Sequence, residues 1–234
     1  MSSLLHLEEV DSTNTYLKNR QGALPHGTVV YADRQTAGRG RYNRVWVSKT
    51  GGLYFSVLLK PPYSPFLPNL TQLLALSICL ALEDLGLKPA VKWPNDVQIN
   101  GRKISGILSE AVFKSSQFQA VILGAGINIS QGGLDQVGQP AVSLKELGIM
   151  VQPAELLDTV LHYFWQRYAT LCQEGFETIR AAYTQRFAAL GCEVRVQDGE
   201  QTIFGRAEDI SSRGTLMLRT AQGLKEIYIG DLKV

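Results

Sequence analysis

The sequence is poor in the residues that build disulfide frameworks and metal sites. Its three cysteines, Cys79, Cys172 and Cys192, are odd in number, widely spaced and without a Cys-x-x-Cys pair. That excludes a disulfide scaffold and a zinc knuckle, and it suits a reducing, cytoplasmic setting. The three histidines, His6, His26 and His162, are equally scattered, so neither a metal cluster nor a Ser/His/Asp triad is suggested. No apolar run is long enough for a bilayer. The strongest, "LLALSICLAL" (Leu73–Leu82), leads directly into Glu83-Asp84 and reads as a buried helix. The opening "MSSLLHLEEVDSTN" has no basic leader before an apolar core, so no signal peptide is expected. A surplus of one charge is missing as well. The net charge of +2 provides no global attraction to nucleic acid or membrane.

What is there is an ordinary globular composition, 45% hydrophobic and 19% charged over 234 residues, enough for one large domain or a main domain with a small companion. "DSTNTYLKNR" begins with the cap-forming residues Asp11, Ser12 and Thr13 and continues as a helix. Gly27–Gln35 and Gly51–Lys60 read as strands, and Asn69–Gly86 as a helix with a glycine stop. Several strands follow: "AVKW", "DVQI", "RKISGILSEAVF" and "QFQAVILGAGINI". After a glycine- and glutamine-rich loop from Ser130 to about Pro140 come two helical patterns, Pro153–Cys172 and Phe176–Leu190. Beyond Gly191 the chain changes to short strands between turns, the pattern of a small all-β barrel. The expected architecture is α+β, with a main domain over residues 1–190 and a small one over 191–234.

The clearest local feature is the hairpin "DVQINGRKIS". Asn100-Gly101 suits the two positive φ angles of a type I′ turn. A two-residue turn pairs Ile99 with Arg102, Gln98 with Lys103, Val97 with Ile104 and Asp96 with Ser105. Val97, Ile99 and Ile104 then face the core, which leaves Lys103 on the polar face of a rigid hairpin.

Common nucleotide motifs fail. Ser48 precedes Lys49-Thr50 where a P-loop needs glycine, and "GAGINI" lacks the third glycine of a dinucleotide fingerprint. The stretch "GRGRYNRVW" (Gly38–Trp46) stands out instead. From Asp33 to Thr50 there are five basic residues, Arg34, Arg39, Arg41, Arg44 and Lys49, against one acid. Gly38 and Gly40 let backbone amides approach a ligand, and guanidinium forks match phosphate oxygens. A solvated basic loop is the plain alternative, but it needs neither Trp46 nor the glycine spacing. In "KWPND" (Lys92–Asp96), Asn95 and Asp96 can serve a turn around Pro94. Trp46 and Trp93 can be core aromatics or ligand platforms. Gly124 and Gly126 mark either a bulge or close backbone approach, and Asn128 either satisfies backbone groups or meets a ligand.

The order "DSTN", "QTAGRGRYNRVW", "VKWPNDVQINGRKISGILSE", "GAGIN" and a barrel-like end resembles the biotin protein ligases, over nearly the whole chain from Leu7. The resemblance implies a class II synthetase-like catalytic domain, with a mixed or antiparallel sheet flanked by helices, and an SH3-like C-terminal β-barrel. It implies ATP-dependent biotinylation of a lysine on a biotin carboxyl carrier protein, through biotinyl-5′-AMP with release of pyrophosphate. Ser12, Thr13, Asn14, Gln35, Arg39, Gly40 and Arg41 match the biotin-site positions, and Lys103 matches the catalytic lysine, with Arg41 beside it. Arg39, Arg44, Trp46, Lys92, Asn95 and Asn128 match the surroundings of ATP and its phosphates. Mg²⁺ is expected with ATP, held by phosphates and water, because no protein ligand cluster is readable. Asn43 stands where the family loop usually has glycine, and asparagine is the next most tolerant of a left-handed backbone. The pattern starts within ten residues of Met1, so the short form without an N-terminal DNA-binding domain is expected. Monomer and homodimer are both open.

A lipoate or octanoate ligase would use the same adenylation logic with a different acyl pocket. A nucleic-acid-binding module is the other class of reading. From Gly191 onward, however, six basic residues face seven acids, a poor footprint for nucleic acid. Neither a DNA nor a membrane partner is expected.

Overall fold

The computed structural model describes residues 3–198 and 201–233. The chain runs β1 (Leu4–Val10), α1 (Thr13–Arg20), β2 (Val29–Gln35), β3 (Leu53–Leu59), α2 (Asn69–Asp84), β4 (Pro89–Lys92), β5 (Asp96–Ile99), β6 (Arg102–Lys114), β7 (Gln117–Ile127), α3 (Pro153–Glu174) and α4 (Glu177–Thr184). A second set of strands follows: β8 (Glu193–Asp198), β9 (Gln201–Ile210), β10 (Leu216–Thr220), β11 (Gly223–Ile227) and β12 (Asp231–Lys233). The first sheet has the order β1-β2-β3-β7-β6-β5-β4. Its β1–β2 pair is parallel and the others antiparallel, so it is mixed.

The two faces of this sheet follow from the period of two along its strands. In β7, Val121, Leu123, Ala125 and Ile127 enter the main core, together with Leu53, Phe55, Val57 and Leu59 of β3. The apolar run expected to be a buried helix is α2, which is buried on nearly every side and lies in that same core. The opposite face carries a smaller cluster, in which Leu17 of α1 meets Val30, Leu58, Ala120 and Ile122. α1 covers only part of that face. Beyond it, β6 and β7 present Gly106, Gly124 and Gly126, and the sheet is left bare enough to floor a pocket.

The Asn100-Gly101 turn has the expected positive φ angles, 50° and 74°. The pairing beyond it differs from the simple two-residue scheme. Gln98 pairs with Lys103, but Val97 pairs with Ser105 and Asp96 with Gly106, because the register shifts between Val97 and Gln98. Ile104 is the extra residue of that bulge, fully buried in the main core. Lys103 keeps its place on the polar side. α4 is shorter than the sequence suggests. After Thr184 the chain turns to hydrogen bond the edge strand β4, Val91 N donating to Arg186 O (2.7 Å) and Ala188 N to Val91 O (2.9 Å).

The C-terminal strands form an antiparallel sheet in the order β11-β10-β9-β8-β12, and no β11–β12 pairing closes it among the described residues. A turn of this sheet is keyed into the main body. Asn69 Nδ2 donates to Arg213 O (3.0 Å), while Gln72 Nε2 (2.7 Å) and Trp93 Nε1 (3.1 Å) both donate to Gly214 O. Leu216, Leu218 and Leu232 join the same continuous core as the main sheet. β12 is thereby fixed beside the pocket.

Candidate active site

One cavity of about 100 Å³ collects most of the residues singled out in the sequence. Its floor is the bare stretch of β6 and β7. Gly106 and Gly126 sit opposite each other, and the Trp46 indole lies on them. A Cβ at Gly126 would stand 2.2 Å from Trp46 Nε1, and one at Gly106 would stand 2.9 Å from Trp46 Cζ3. A Cβ at Gly124 would meet Asn14 Oδ1 at 2.1 Å. The glycines of "GAGIN" therefore mark close approach by other side chains, and no bulge interrupts this part of β7.

One wall is the start of α1, where Ser12 is the N-cap and its Oγ accepts from Thr15 N at 3.5 Å. Thr13 and Asn14 are buried there and wired to their neighbours. Thr13 N donates to Gln35 Oε1 (2.9 Å), Gln35 Nε2 donates to Ser48 Oγ (2.9 Å), and Asn14 Nδ2 donates to Glu110 Oε2 (2.8 Å). The buried Ser56 hydroxyl stands 2.7 Å from Thr13 Oγ1 and 2.6 Å from Asn14 Oδ1. This network fixes the wall.

Lys103 projects over the floor. Its ammonium is 2.8 Å from Asp96 Oδ1 and 5.2 Å from the centre of the Trp46 ring, and its side chain is only 14% exposed. A partly buried cation with a single carboxylate partner keeps hydrogen-bonding capacity for another anion.

The glycine-arginine loop forms the roof and is closed on itself. Trp46 N donates to Gly38 O (2.9 Å), and Gly40 N donates to Arg44 O (2.7 Å). Arg39 reaches Glu110 Oε2 at 3.3 Å, and Arg41 Nη1 donates to Asn95 Oδ1 at 2.9 Å. Arg44 pairs with Asp231. Tyr42, at φ 56°, holds the left-handed position of the loop. The side chain of Asn43 lies outside the described residues.

The cavity is lined by Ser12, Thr13, Asn14, Gln35, Arg39, Gly40, Arg41, Arg44, Trp46, Asn95 and Lys103, all expected from sequence. Lys92 and Asn128 are not among its lining residues. Asn128 is buried and its amide is taken up within the fold: Nδ2 donates to Lys103 O (3.3 Å) and Val142 O (3.1 Å), and Oδ1 accepts from the Gln131 side chain (2.5 Å). It also borders a smaller cavity behind Trp46 and Lys103. Sequence reasoning missed three acids as site residues. By its place next to Pro94, Asp96 reads as a turn residue. Glu110 shares the pocket face with Gly106 and Leu108 by strand alternation, a signal that was present. Asp231 carries no local signal at all. A second, larger cavity of about 570 Å³ between the two sheets shares Arg41, Asn95, Ile107 and Leu108 with the first.

Chemically, the site gathers four cations, Lys103, Arg39, Arg41 and Arg44, against three carboxylates, Asp96 and Asp231 in its lining and Glu110 behind Arg39, around a small flat-floored slot. It is built to hold anionic oxygen beside a compact apolar group.

Two family models match the chain. The biotin/lipoate A/B protein ligase family covers residues 7–128, and the biotin protein ligase C-terminal domain covers residues 189–232. The biotin–[acetyl-CoA-carboxylase] ligase of Paracoccus denitrificans is 35% identical, over 97% of this chain and 98% of that protein. The bifunctional ligase/repressor BirA of Bacillus subtilis is 36% identical, over 90% of this chain and 67% of that protein. Among solved structures, the biotin protein ligase of Aquifex aeolicus in complex with biotin and ATP superposes with a TM-score of 0.89 at 35% identity, covering 100% of this chain and 98% of that one.

Proposed function

The chain belongs to the biotin protein ligases, and from that premise we propose that its pocket joins biotin to ATP and passes the biotinyl group to a lysine of a biotin carboxyl carrier protein. One observation carries the reading. Lys103 and the three loop arginines line one slot whose floor is built from glycines of β6 and β7.

The chemistry explains why those residues are there. The biotin carboxylate attacks the α-phosphate of ATP, the acyl–phosphate bond forms, and pyrophosphate leaves. Two anions must be brought together, so the protein's task is positioning and charge compensation. In our reading Lys103 holds the carboxylate against the α-phosphate, with Asp96 fixing its ammonium. Arg41 and Arg39 sit at the carboxylate and phosphate side, and Arg44 faces the leaving phosphates. Ser12, Thr13, Asn14 and Gln35 shape the biotin wall, and Trp46, packed on the glycine floor, bounds the slot beside Lys103. Asn95 orients Arg41 next to the nucleotide. Asn128 acts by holding the Lys103 backbone, and Lys92 bears on the nucleotide from outside the cavity. In the second step the acceptor lysine attacks the acyl carbon and AMP leaves. The larger cavity beside Arg41 offers that lysine a way in. A closed roof keeps water from the mixed anhydride.

Magnesium belongs to the ATP in this reading. Phosphate oxygens and water then supply most of its ligands. We keep 1–190 as the ligase domain and 191–234 as its companion, and we place the protein in the cytoplasm without a DNA partner.

The test is magnesium-dependent ATP–pyrophosphate exchange on the purified protein, with biotin and lipoate side by side. Exchange with biotin alone is expected. Exchange with lipoate alone would overturn the substrate, and exchange with neither would overturn adenylation itself.

A further inference from the structure

The tip of the glycine-arginine loop, residues 41–44, is held down chiefly from the C-terminal sheet. Arg41 Nη1 donates to Gly230 O at 3.3 Å and lies 3.7 Å from Asp231 Oδ1, and Arg44 Nη2 pairs with Asp231 Oδ2. The Tyr42 ring lies beside both guanidinium groups, 5.0 Å from that of Arg41 and 5.6 Å from that of Arg44. Among the described residues, the other tip anchor outside the loop is the Arg41–Asn95 bond of 2.9 Å. Asp231 and Arg41 are 19% and 18% exposed, whereas Arg44 is 66% exposed, so the Arg44–Asp231 half of the contact is open to screening by salt.

The platform under this pair is rigid. Asp231 lies on β12, which pairs with β8, and the neighbouring Leu232 is buried in the main core. Gly230, at φ 153°, packs so closely on β8 that a Cβ would stand 2.5 Å from Val196 Cγ1 and 3.0 Å from Gln197 O. The carbonyl of residue 230 and the carboxylate of residue 231 are thus presented to the loop at a set position.

We propose that Asp231 is a positioning residue that latches the arginine loop shut by pairing Arg41 and Arg44. The inference rests on the ligase reading for its consequence, since the latched loop would retain biotinyl-AMP. Its physical content, a loop held closed by a carboxylate of the second sheet, does not depend on that reading. Before a nucleotide binds, Asp231 supplies the anion that these cations would otherwise leave unpaired. With a nucleotide in place, phosphate oxygens take over part of that pairing, and Asp231 keeps the tip from swinging outward. Loop closure is thereby tied to the C-terminal sheet.

The experiment has two readouts on the full chain. The first is tryptic cleavage of the ligand-free protein after Arg39, Arg41 and Arg44, mapped by mass spectrometry. The second is the dissociation rate of preformed biotinyl-AMP. Asp231→Asn is expected to speed loop cleavage and intermediate release by about tenfold each, the size of one modest charge-assisted contact. Asp231→Glu restores slow rates. The melting temperature serves as the control for a general loss of structure. Wild-type rates in D231N, or fast rates in D231N that D231E leaves fast, overturn the latch. Should D231N fold poorly, loop cleavage of the unaltered protein in rising potassium chloride decides. Screening the pair should accelerate cuts in the loop relative to cuts elsewhere, and equal effects overturn the proposal. A wild-type protein that forms no biotinyl-AMP defeats the ligase reading, while the cleavage results still judge the latch.

Discussion

Replacing Gly126 by alanine adds one methyl group at a point where the structure has no room for it. The new carbon would stand 2.2, 2.4 and 2.7 Å from Nε1, Cε2 and Cζ2 of Trp46. Its φ angle is not in the left-handed region, so the conflict is steric alone. The indole cannot simply slide along the floor, because Gly106 is close beneath its other ring and its backbone is tied to Gly38 O at 2.9 Å. Trp46 must lift, and Lys103, which lies 5.2 Å from its ring, loses that neighbour. Overpacking of this kind costs about 1–3 kcal/mol. At roughly 2–4 °C per kcal/mol for a chain of this size, the melting temperature should fall by about 2–12 °C. The catalytic effect should be larger. A displacement of about 1 Å in a group that positions substrate costs on the order of a hundredfold in rate. Differential scanning calorimetry and pyrophosphate exchange measure the two effects, with Gly22→Ala as the control, since nothing lies within 4 Å of a Cβ there. Exchange within about twofold of wild type would refute the claim that the indole and its glycine floor shape the slot.

Other outcomes follow from the same geometry. Lys103→Ala should lower adenylation by about two orders of magnitude or more, as loss of a transition-state charge partner does, and single-turnover formation of biotinyl-AMP checks it. Arg41→Ala should mainly let biotinyl-AMP escape, which a dissociation assay reads as faster release with a smaller change in its formation. Asn128→Ala should act on stability, because it strips buried carbonyls of Lys103 and Val142 of a donor, at a cost of about 1–3 kcal/mol seen in thermal melts. Burial pushes the Cys79 thiol up to about 12, so at mildly alkaline pH it stays protonated. A thiol reagent should therefore reach Cys79 only after the protein is unfolded.

Much of this was written locally in the chain. The hairpin turn, the buried helix α2, the Ser12 cap and the cationic loop depend on neighbours a few residues apart, so their signals survive in sequence. What was not legible depends on distant partners. The bulge at Ile104 sits beside Lys103, whose backbone bonds Pro140 O and Val142 N nearly forty positions further on, and no local pattern announces it. The strand β1, "LLHLEEV", is a half-exposed edge strand with a parallel partner, and its acids weaken the strand signal. α4 stops early because residues 186–188 gain hydrogen bonds to an edge strand almost a hundred positions away in sequence. Asp231 reaches the pocket across the whole length of the chain. Asn128 illustrates a different limit: its presence was legible, but whether its amide faces backbone or ligand is decided by Lys103, Val142 and Gln131 together.

The most direct test of the central claim is the intact mass of a biotin carboxyl carrier domain after incubation with this protein, biotin, ATP and magnesium. The account predicts one added biotinyl group, located on the acceptor lysine, and none when biotin is replaced by lipoate or when that lysine is changed to arginine. An unmodified carrier, from protein that is folded and supplied with both substrates, would contradict it.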